Sequence, residues 1–519
     1  MMDLLKKTGI RITIIIIVLT IICKVTGFLR EMVIASSFGA SYQTDAYFMS
    51  LAIPNIVFNI IAVAATATLI PKFGEVLRKD GREGLNKFAS NLFWIFLFAA
   101  LLFLVILEII LPNLTKIIAP SFDRETFELT VYLSRISIIG IVFMTINALI
   151  LAILQSFDEY VSPAISGLAI NIPIIIYVFI CKDLSIVGLT IATLSGYLLQ
   201  VFIQVPWLLC NGFRLKKILD IKDTRLKEMM ILMLPAFFGI CANQINFIIN
   251  RAMASGLPEG SISSYNYANV LNGVSYGIFV SSFVMLYYSR ISRAACADIQ
   301  KETIVVGLLE SAITKINLFM FPTTLAVIVL SREVVLCVYG RGAFNYESVA
   351  TTAYILKFLA FGMLFNGMRD MFDRTFYAFQ NTGTPVLVGV LGVAINIILN
   401  FLLVPIYGVT GLAASLSIAS IISCIMLLFL MKKKLNIKNY YNIFGESLKI
   451  FFSAFFMILC ILYANKFVKE MTESNIILLV ISFVEGIIFY IIFLLLFRVK
   501  IIINIFNVAY CKLKNGVDD

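Results

Sequence analysis

The chain contains no histidine, and none of its nine cysteines lies in a C-x-x-C pair. Histidine is the commonest general base and metal ligand, and paired cysteines mark zinc and redox sites. Charged residues make up only 14% of the 519 positions. We therefore predict no catalytic residue, no metal centre and no cofactor, and the scarcity of charge excludes an ordinary soluble surface.

What is present is apolar: 61% of the residues are hydrophobic and the mean hydropathy is +0.98. A helix needs about 20 apolar residues to cross a hydrocarbon core of about 30 Å. The composition predicts an all-α polytopic membrane protein with about 14 transmembrane helices. The apolar runs lie near 12–34, 45–70, 89–112, 130–153, 160–181, 185–210, 227–250, 263–289, 312–338, 350–378, 384–405, 409–431, 445–465 and 474–497.

Basic residues concentrate in alternate connections between these runs, at 72–87, 214–227 and 432–438. The positive-inside rule places such connections in the cytoplasm, so both termini are predicted to be cytoplasmic and 113–129 to lie outside. Attraction of these basic connections to anionic membrane lipids explains the net charge of +11, so a nucleic-acid partner is not predicted.

An internal repeat divides the chain. Ala169-Ile-Asn-Ile172 recurs as Ala394-Ile-Asn-Ile397, and Gly188-Leu189 recurs as Gly411-Leu412, at offsets of 225 and 223 residues. This predicts two parallel six-helix repeats, an N-lobe at 1–221 and a C-lobe at 222–440, followed by two extra helices and a tail at 441–519. Substrate sites of repeat-built transporters lie between the halves.

The first apolar run carries charge: Lys24, Arg30 and Glu31 lie within or at the end of it. Ionisable groups at membrane depth are expensive and usually functional. Lys24 and Arg30 would lie about 120° apart on an ideal helix, and a bend at Gly27 would let both point inward. The alternative is that Arg30 and Glu31 extend to the membrane surface.

Polar stripes at helical spacing mark three further runs. One reading is that these amides only bond neighbouring helices; the other, which three stripes at corresponding positions of the two halves favour, is a wet central cavity. The stripes are Asn55, Asn59, Ala62 and Thr66; Asn243, Asn246 and Asn250, beside Arg251; and Asn266, Asn269 and Gly273.

Short motifs in a fixed order resemble the MurJ (MviN) family of lipid II flippases, in the multidrug/oligosaccharidyl-lipid/polysaccharide exporter superfamily, over essentially the whole chain. In the first half they are Gly27-Phe-Leu-Arg-Glu31, Phe38-Gly-Ala40, Thr44-Asp-Ala-Tyr-Phe48 and Ile53-Pro-Asn55. In the second half they are Ala254-Ser255, Gly260-Ser-Ile-Ser263, Tyr267-Ala268, Arg341-Gly-Ala-Phe344, Phe376-Tyr-Ala378 and Thr384-Pro385.

The resemblance implies two lobes around a cationic cavity and a multi-pass protein of the bacterial cytoplasmic membrane that moves an undecaprenyl-pyrophosphate-linked glycolipid by alternating access. It implies that Lys24 and Arg30 contact the pyrophosphate and that Asp45 matches the acid at the start of helix two. With the stripes, the expected cavity residues are Lys24, Arg30, Asp45, Asn55, Asn59, Arg251 and Asn269. Coupling to an ion gradient or the membrane potential is expected.

Two positions depart from the family pattern, because Phe58 and Val270 stand where many members carry arginine. The departures leave open a flippase for another polyprenyl-linked oligosaccharide, such as an O-antigen, capsule or teichoic-type precursor. A drug or cation antiporter on the same fold is a further alternative. An enzyme acting on lipid-linked sugars is disfavoured, because the chain lacks histidine and a convincing acidic pair.

Overall fold

A computed structural model describes residues 2–64, 68–296, 301–435, 441–471 and 474–503. Every regular element in these ranges is helical. The first ten helices are α1 (Met2–Phe38), α2 (Tyr42–Ser50), α3 (Ala52–Ala64), α4 (Ile70–Ile118), α5 (Arg124–Ile138), α6 (Gly140–Ser156), α7 (Val161–Ala169), α8 (Ile172–Ile180), α9 (Ile186–Cys210) and α10 (Thr224–Ala254). The others are α11 (Ser261–Phe279), α12 (Ser281–Ala295), α13 (Lys301–Val329), α14 (Ser331–Tyr339), α15 (Tyr346–Ala378), α16 (Gly383–Tyr407), α17 (Val409–Leu435), α18 (Tyr441–Met471) and α19 (Asn475–Leu496).

The predicted all-α membrane fold is confirmed. Among the described residues, 11 helical segments are long and apolar enough to cross a membrane, or 12 when the pair α11 and α12, bent by 42°, counts as one span. Each of the 14 predicted apolar runs coincides with one helix or with two consecutive helices. The count of 14 spans itself stays a prediction.

Several spans are broken where the sequence interrupts helical hydrogen bonding. The run at 160–181 forms α7 and α8, which meet at Ile170 and Asn171, and Pro173 follows in the first turn of α8. Proline cannot donate a backbone hydrogen bond, so it is tolerated at such a helix start. In α4, Gly81 has a φ of 67° and divides a short N-terminal segment of the helix from the long apolar segment that follows.

By its contacts the chain forms two compact units. The first comprises residues 1–263 with 342–344, and the second comprises 264–341 with 345–519. The predicted boundaries at 221 and 440 concern the repeats and stay predictions. The first unit packs around apolar side chains of α4, α6 and the start of α10, among them Phe73, Phe88 and Met229.

The second unit has its core between α12, α13, α15 and α17, with Ile316, Met363, Phe372 and Leu427 fully or almost fully buried. Helices α18 and α19 belong to this unit. They are joined to α13 by polar bonds as well as apolar contacts: Asn317 donates to Ser447 Oγ at 2.8 Å, and Tyr490 donates to the Leu318 carbonyl at 2.6 Å.

Candidate functional site

Arg30 lies near the end of α1 and is held by two neighbours within the first unit. Its Nη2 contacts Glu31 Oε1 at 2.5 Å, its Nε donates to the same oxygen at 3.2 Å, and its Nη1 donates to Asn171 Oδ1 at 3.1 Å. The Arg30 side chain is 26% exposed and that of Glu31 only 5%. Arg30 is thus held in an ion pair with Glu31 and remains partly exposed.

Asn171 lies at the break between α7 and α8, where its side chain bonds both to α1 and to α7. Its Nδ2 donates to Thr26 Oγ1 at 3.2 Å and to the Gly167 carbonyl at 3.3 Å, while its Oδ1 accepts from Arg30. The sequence marked Asn171 only as part of the repeat. The signal that would have found its role is an asparagine directly before Ile-Pro, where a span breaks and frees polar groups.

Lys24, one and a half turns before Arg30, is exposed, and no ion pair involves it in the part of the chain that the structure describes. Asn55 and Asn59 are also exposed, on one face of α3. Their role as cavity residues stays a prediction, and the side chains of Ala62 and Thr66, the other members of that stripe, lie outside the described residues. In the first unit, then, Lys24 on α1 and Asn55 and Asn59 on α3 present uncovered polar groups.

The remaining predicted residues lie at other places. Arg251 is near the end of α10, with its guanidinium carbon 5.1 Å from the centroid of the Phe247 ring. Asn269 is exposed on α11 of the second unit, as is Gly273 one turn later. Asn246 is partly buried, and its Oδ1 has no hydrogen-bond partner among the described residues.

Asp45 lies in the first turn of α2 and is buried within the first unit. Its carboxylate is 4% exposed, and both oxygens accept bonds within the first unit: Oδ2 from the Gly260 amide at 2.8 Å, and Oδ1 from the Ser263 amide and hydroxyl, each at 2.7 Å. A carboxylate there satisfies free amides at the start of α11 and opposes the positive end of its dipole. This geometry describes a helix cap, and a direct substrate contact by Asp45 stays a prediction.

Two of the family-like motifs, Phe38-Gly-Ala40 and Arg341-Gly-Ala-Phe344, meet at the connection between α1 and α2. The Ala343 amide donates to the Ser36 carbonyl at 2.8 Å. A Cβ added to Gly39 would lie 2.5 Å from the Ala343 carbonyl oxygen, and one added to Gly342 would overlap the Ser36 carbonyl. Backbones approach this closely only where side chains are absent.

The described residues hold no cluster of three or more cysteine, aspartate or glutamate side chains that would bind a metal ion. The first unit contains an apolar cavity of about 200 Å³ lined by α3, α4 and α6, including Val57, Ile60 and Phe103. Its lining is unsuited to a phosphate and lies away from Lys24 and Arg30. The polar face of α3 and this cavity are therefore separate features.

Comparisons with known proteins agree over most of the chain. The family model described as "Lipid II flippase MurJ" matches residues 34–504. The probable lipid II flippase MurJ of Rickettsia prowazekii is 27% identical over 80% of this chain and 82% of its own length, and the lipid II flippase MurJ of Burkholderia cenocepacia is 24% identical over 80% and 82%. The family match includes Asp45 and begins after Lys24 and Arg30, whose roles stay predictions.

Solved structures support the same fold. A lipid II flippase MurJ in an inward closed conformation matches with a TM-score of 0.78 at 24% identity, covering 93% of this chain and 99% of that one. An inward-facing MATE-family transporter of the MOP superfamily matches with a TM-score of 0.67 at 10% identity, covering 82% and 98%. With a family match that spans nine-tenths of its length, the chain belongs to the MurJ family of lipid II flippases.

Proposed function

We propose that this protein moves lipid II, the undecaprenyl-pyrophosphate-linked peptidoglycan precursor, from the inner to the outer leaflet of the bacterial cytoplasmic membrane by alternating access. The observation that carries the proposal is the pair of cations on α1. An exposed lysine and a partly buried arginine lie six residues apart on α1, whose apolar run the sequence predicts to cross the membrane, where unneeded charge is costly.

The two cations differ in what they offer a phosphate. Lys24 is accessible, so it would make the first contact as a point charge. Arg30 would bind only when a phosphate oxygen replaces Glu31 on its Nε and Nη2 edge, while Asn171 continues to hold Nη1. That exchange would keep the Arg30 guanidinium paired with an anion, and it suits the bidentate geometry of guanidinium and phosphate. The displaced Glu31 carboxylate, which is 5% exposed, would then have to take up a proton or turn to water.

Uncharged parts of the substrate would meet amides. Asn55, Asn59 and Asn269 are exposed on membrane-spanning helices and offer donors and acceptors for sugar hydroxyls. Arg251 is proposed as a third cation. We further infer a transporter and not an enzyme, coupled to an ion gradient or the membrane potential, with both termini in the cytoplasm.

The test is complementation in cells depleted of their own lipid II flippase, together with binding of a lipid II analogue to purified protein. Arg30→Ala and Lys24→Ala should each abolish rescue and weaken binding about 10- to 150-fold, since a lost charged hydrogen-bond partner costs about 1.5–3 kcal/mol. Lys24→Arg should keep function. Arg30→Lys should keep part of it, because the planar fork is lost.

The matched control is Arg124→Ala, which removes an exposed cation paired with Glu128. It should leave both readouts unchanged. Near wild-type rescue by Arg30→Ala at normal expression would mean that Arg30 serves only to pair with Glu31 and Asn171, and the cationic-site mechanism would be wrong.

A further inference from the structure

The connection between α9 and α10 is an extended strap, residues 213–222, fastened along α4. Lys216 is bonded twice: its amide donates to Ser90 Oγ at 2.9 Å, and its carbonyl accepts from Trp94 Nε1 at 2.9 Å. Asp220 exchanges two backbone bonds with the Asn91 amide group, at 2.6 and 2.8 Å. Phe213 anchors the first end in the core of the first unit. The strap is thus held in one position.

Its attachment places the strap where α4 begins to face lipid. Trp94 bonds the middle of the strap, and one turn further along α4 the Phe98 side chain is 53% exposed, followed by Leu102 at 64%. Tryptophan is enriched at the boundary between water and hydrocarbon. The middle of the strap therefore lies at the level of the lipid headgroups.

The strap exposes aliphatic side chains, cationic side chains and one acidic side chain, that of Asp220. Leu215, Leu219 and Ile221 are 47%, 55% and 72% exposed, an unusual density of large aliphatic groups for a segment in water. Arg214, Lys217 and Lys222 are exposed between them, and none takes part in an ion pair within the described ranges. By contrast, Lys216 contacts Glu83 at 3.5 Å.

Aliphatic and cationic side chains that alternate at headgroup depth match one surface, a bilayer containing acidic phospholipids. The apolar groups enter the boundary of the acyl chains while the cations meet phosphates above them. We propose that the strap is a binding site for acidic phospholipid headgroups of the leaflet it touches. This site is separate from the α1 cations and independent of the transported substrate.

The chain supplies its own reporter, because it has only two tryptophans and one of them, Trp94, bonds the strap. In full-length Trp207→Phe protein reconstituted in bilayers, Trp94 is the single emitter. Its quenching by phosphatidylglycerol brominated near the headgroup end of the acyl chains is compared with quenching by equally brominated phosphatidylcholine. The ratio of the two apparent affinities measures selectivity at the strap.

We expect a preference for phosphatidylglycerol of at least about 5-fold, the factor that one surface cation supplies, reduced by high salt. The triple variant Arg214→Gln, Lys217→Gln and Lys222→Gln should bring the ratio to about 1. The matched control, Lys432→Gln, Lys433→Gln and Lys434→Gln, removes the same charge elsewhere and should keep the preference. Leu215→Ser with Leu219→Ser should lower quenching by both lipids.

Three results would overturn the proposal. Equal quenching by both lipids in the wild type would mean that lipid covers the strap without selection by charge. Absence of quenching would mean that water or a protein covers it. Equal loss of preference in the two triple variants would assign the effect to net charge and not to this site. None of these quenching measurements depends on flippase activity.

Discussion

At the scale of single residues, Asp45 is a motif residue whose hydrogen bonds are all described by the structure. The motif places an acid at the start of the second span, which reads as a substrate or ion ligand. The carboxylate instead closes three hydrogen bonds to Gly260 and Ser263, both distant in sequence. A buried acid that is fully satisfied in this way stabilises one arrangement of the backbone.

Asp45→Asn is expected to lower the stability of the folded protein by about 1–3 kcal/mol, because an amide nitrogen would face a backbone donor and leave it unpaired. Ser263→Ala, which removes only the hydroxyl bond, should cost about 0.5–1.5 kcal/mol. Thermal unfolding of both variants in detergent gives the comparison. A stable Asp45→Asn protein that no longer binds a lipid II analogue would instead make Asp45 a ligand.

Gly342→Ala tests the close approach at the α1–α2 connection. Gly342 has a φ of 65°, and its added methyl would overlap the Ser36 carbonyl, so we expect a loss of at least about 2 kcal/mol. Gly408→Ala is the control, since Gly408 also has a positive φ, 59°, but no heavy atom within 4 Å of the added Cβ. Equal losses of thermal stability in the two variants would show that backbone strain, and not the contact, matters.

At the scale of helices, the start of α10 is fastened to α4 by charge. Arg225 contacts Asp223 at 2.8 Å and Asp80 at 3.2 Å, and its guanidinium carbon lies 4.8 Å from the centroid of the Phe88 ring. Lys72 of α4 contacts Glu228 of α10 at 2.8 Å. The sequence segment Asp220-Ile-Lys-Asp223 resembles a ligand motif, but its carboxylates serve the turn and this contact.

Arg225→Gln should destabilise the protein by about 1 kcal/mol at pH 7, the upper range for a partly exposed pair. The hydrogen bond from Arg225 lowers the pKa of Asp223. Because the pKa of Asp223 is lower in the folded protein, its ionised carboxylate contributes its full stabilisation at pH values above the unfolded-state pKa of about 3.9. This contribution is lost as the pH falls through the folded-state pKa. The difference from wild type in thermal unfolding should therefore shrink below about pH 4. Arg124→Gln, at an exposed pair, should show no such pH dependence.

Helix positions followed from the sequence because a span needs about 20 apolar residues and the runs are that long. Breaks within spans did not follow, because hydropathy does not indicate them. Asn171 and Asn396 occupy the same position of the internal repeat, yet the first lies at a helix break and the second is buried within α16. Of the polar residues, the helical spacing predicted that Asn55 and Asn59 share one face of a helix, as they do on α3. The partners of Arg30 were not predictable. Its bond to Asn171 depends on packing between α1 and the start of α8, and its bond to Glu31 joins consecutive helix residues, whose side chains do not normally face each other.

At the scale of the whole molecule, orientation in the membrane is the main expectation still to be measured. Single cysteines at exposed positions, Glu125→Cys and Lys217→Cys in a cysteine-free background, separate the two topologies. An impermeant maleimide should label the first in intact cells and the second only after permeabilisation, because basic connections remain inside. Labelling of Lys217→Cys from outside would invert the orientation.

The bond between Ser36 and Ala343 has a consequence for biosynthesis. Its two ends are 307 residues apart (343 − 36), so the first unit, although it begins at the N-terminus, receives its last segment only after most of the chain has been translated. A nascent chain emerges in order, N-terminal end first. Until Gly342 is inserted, the connection between α1 and α2 remains uncovered, and a ribosome stalled before that point would leave a long membrane-inserted intermediate open to quality-control proteases.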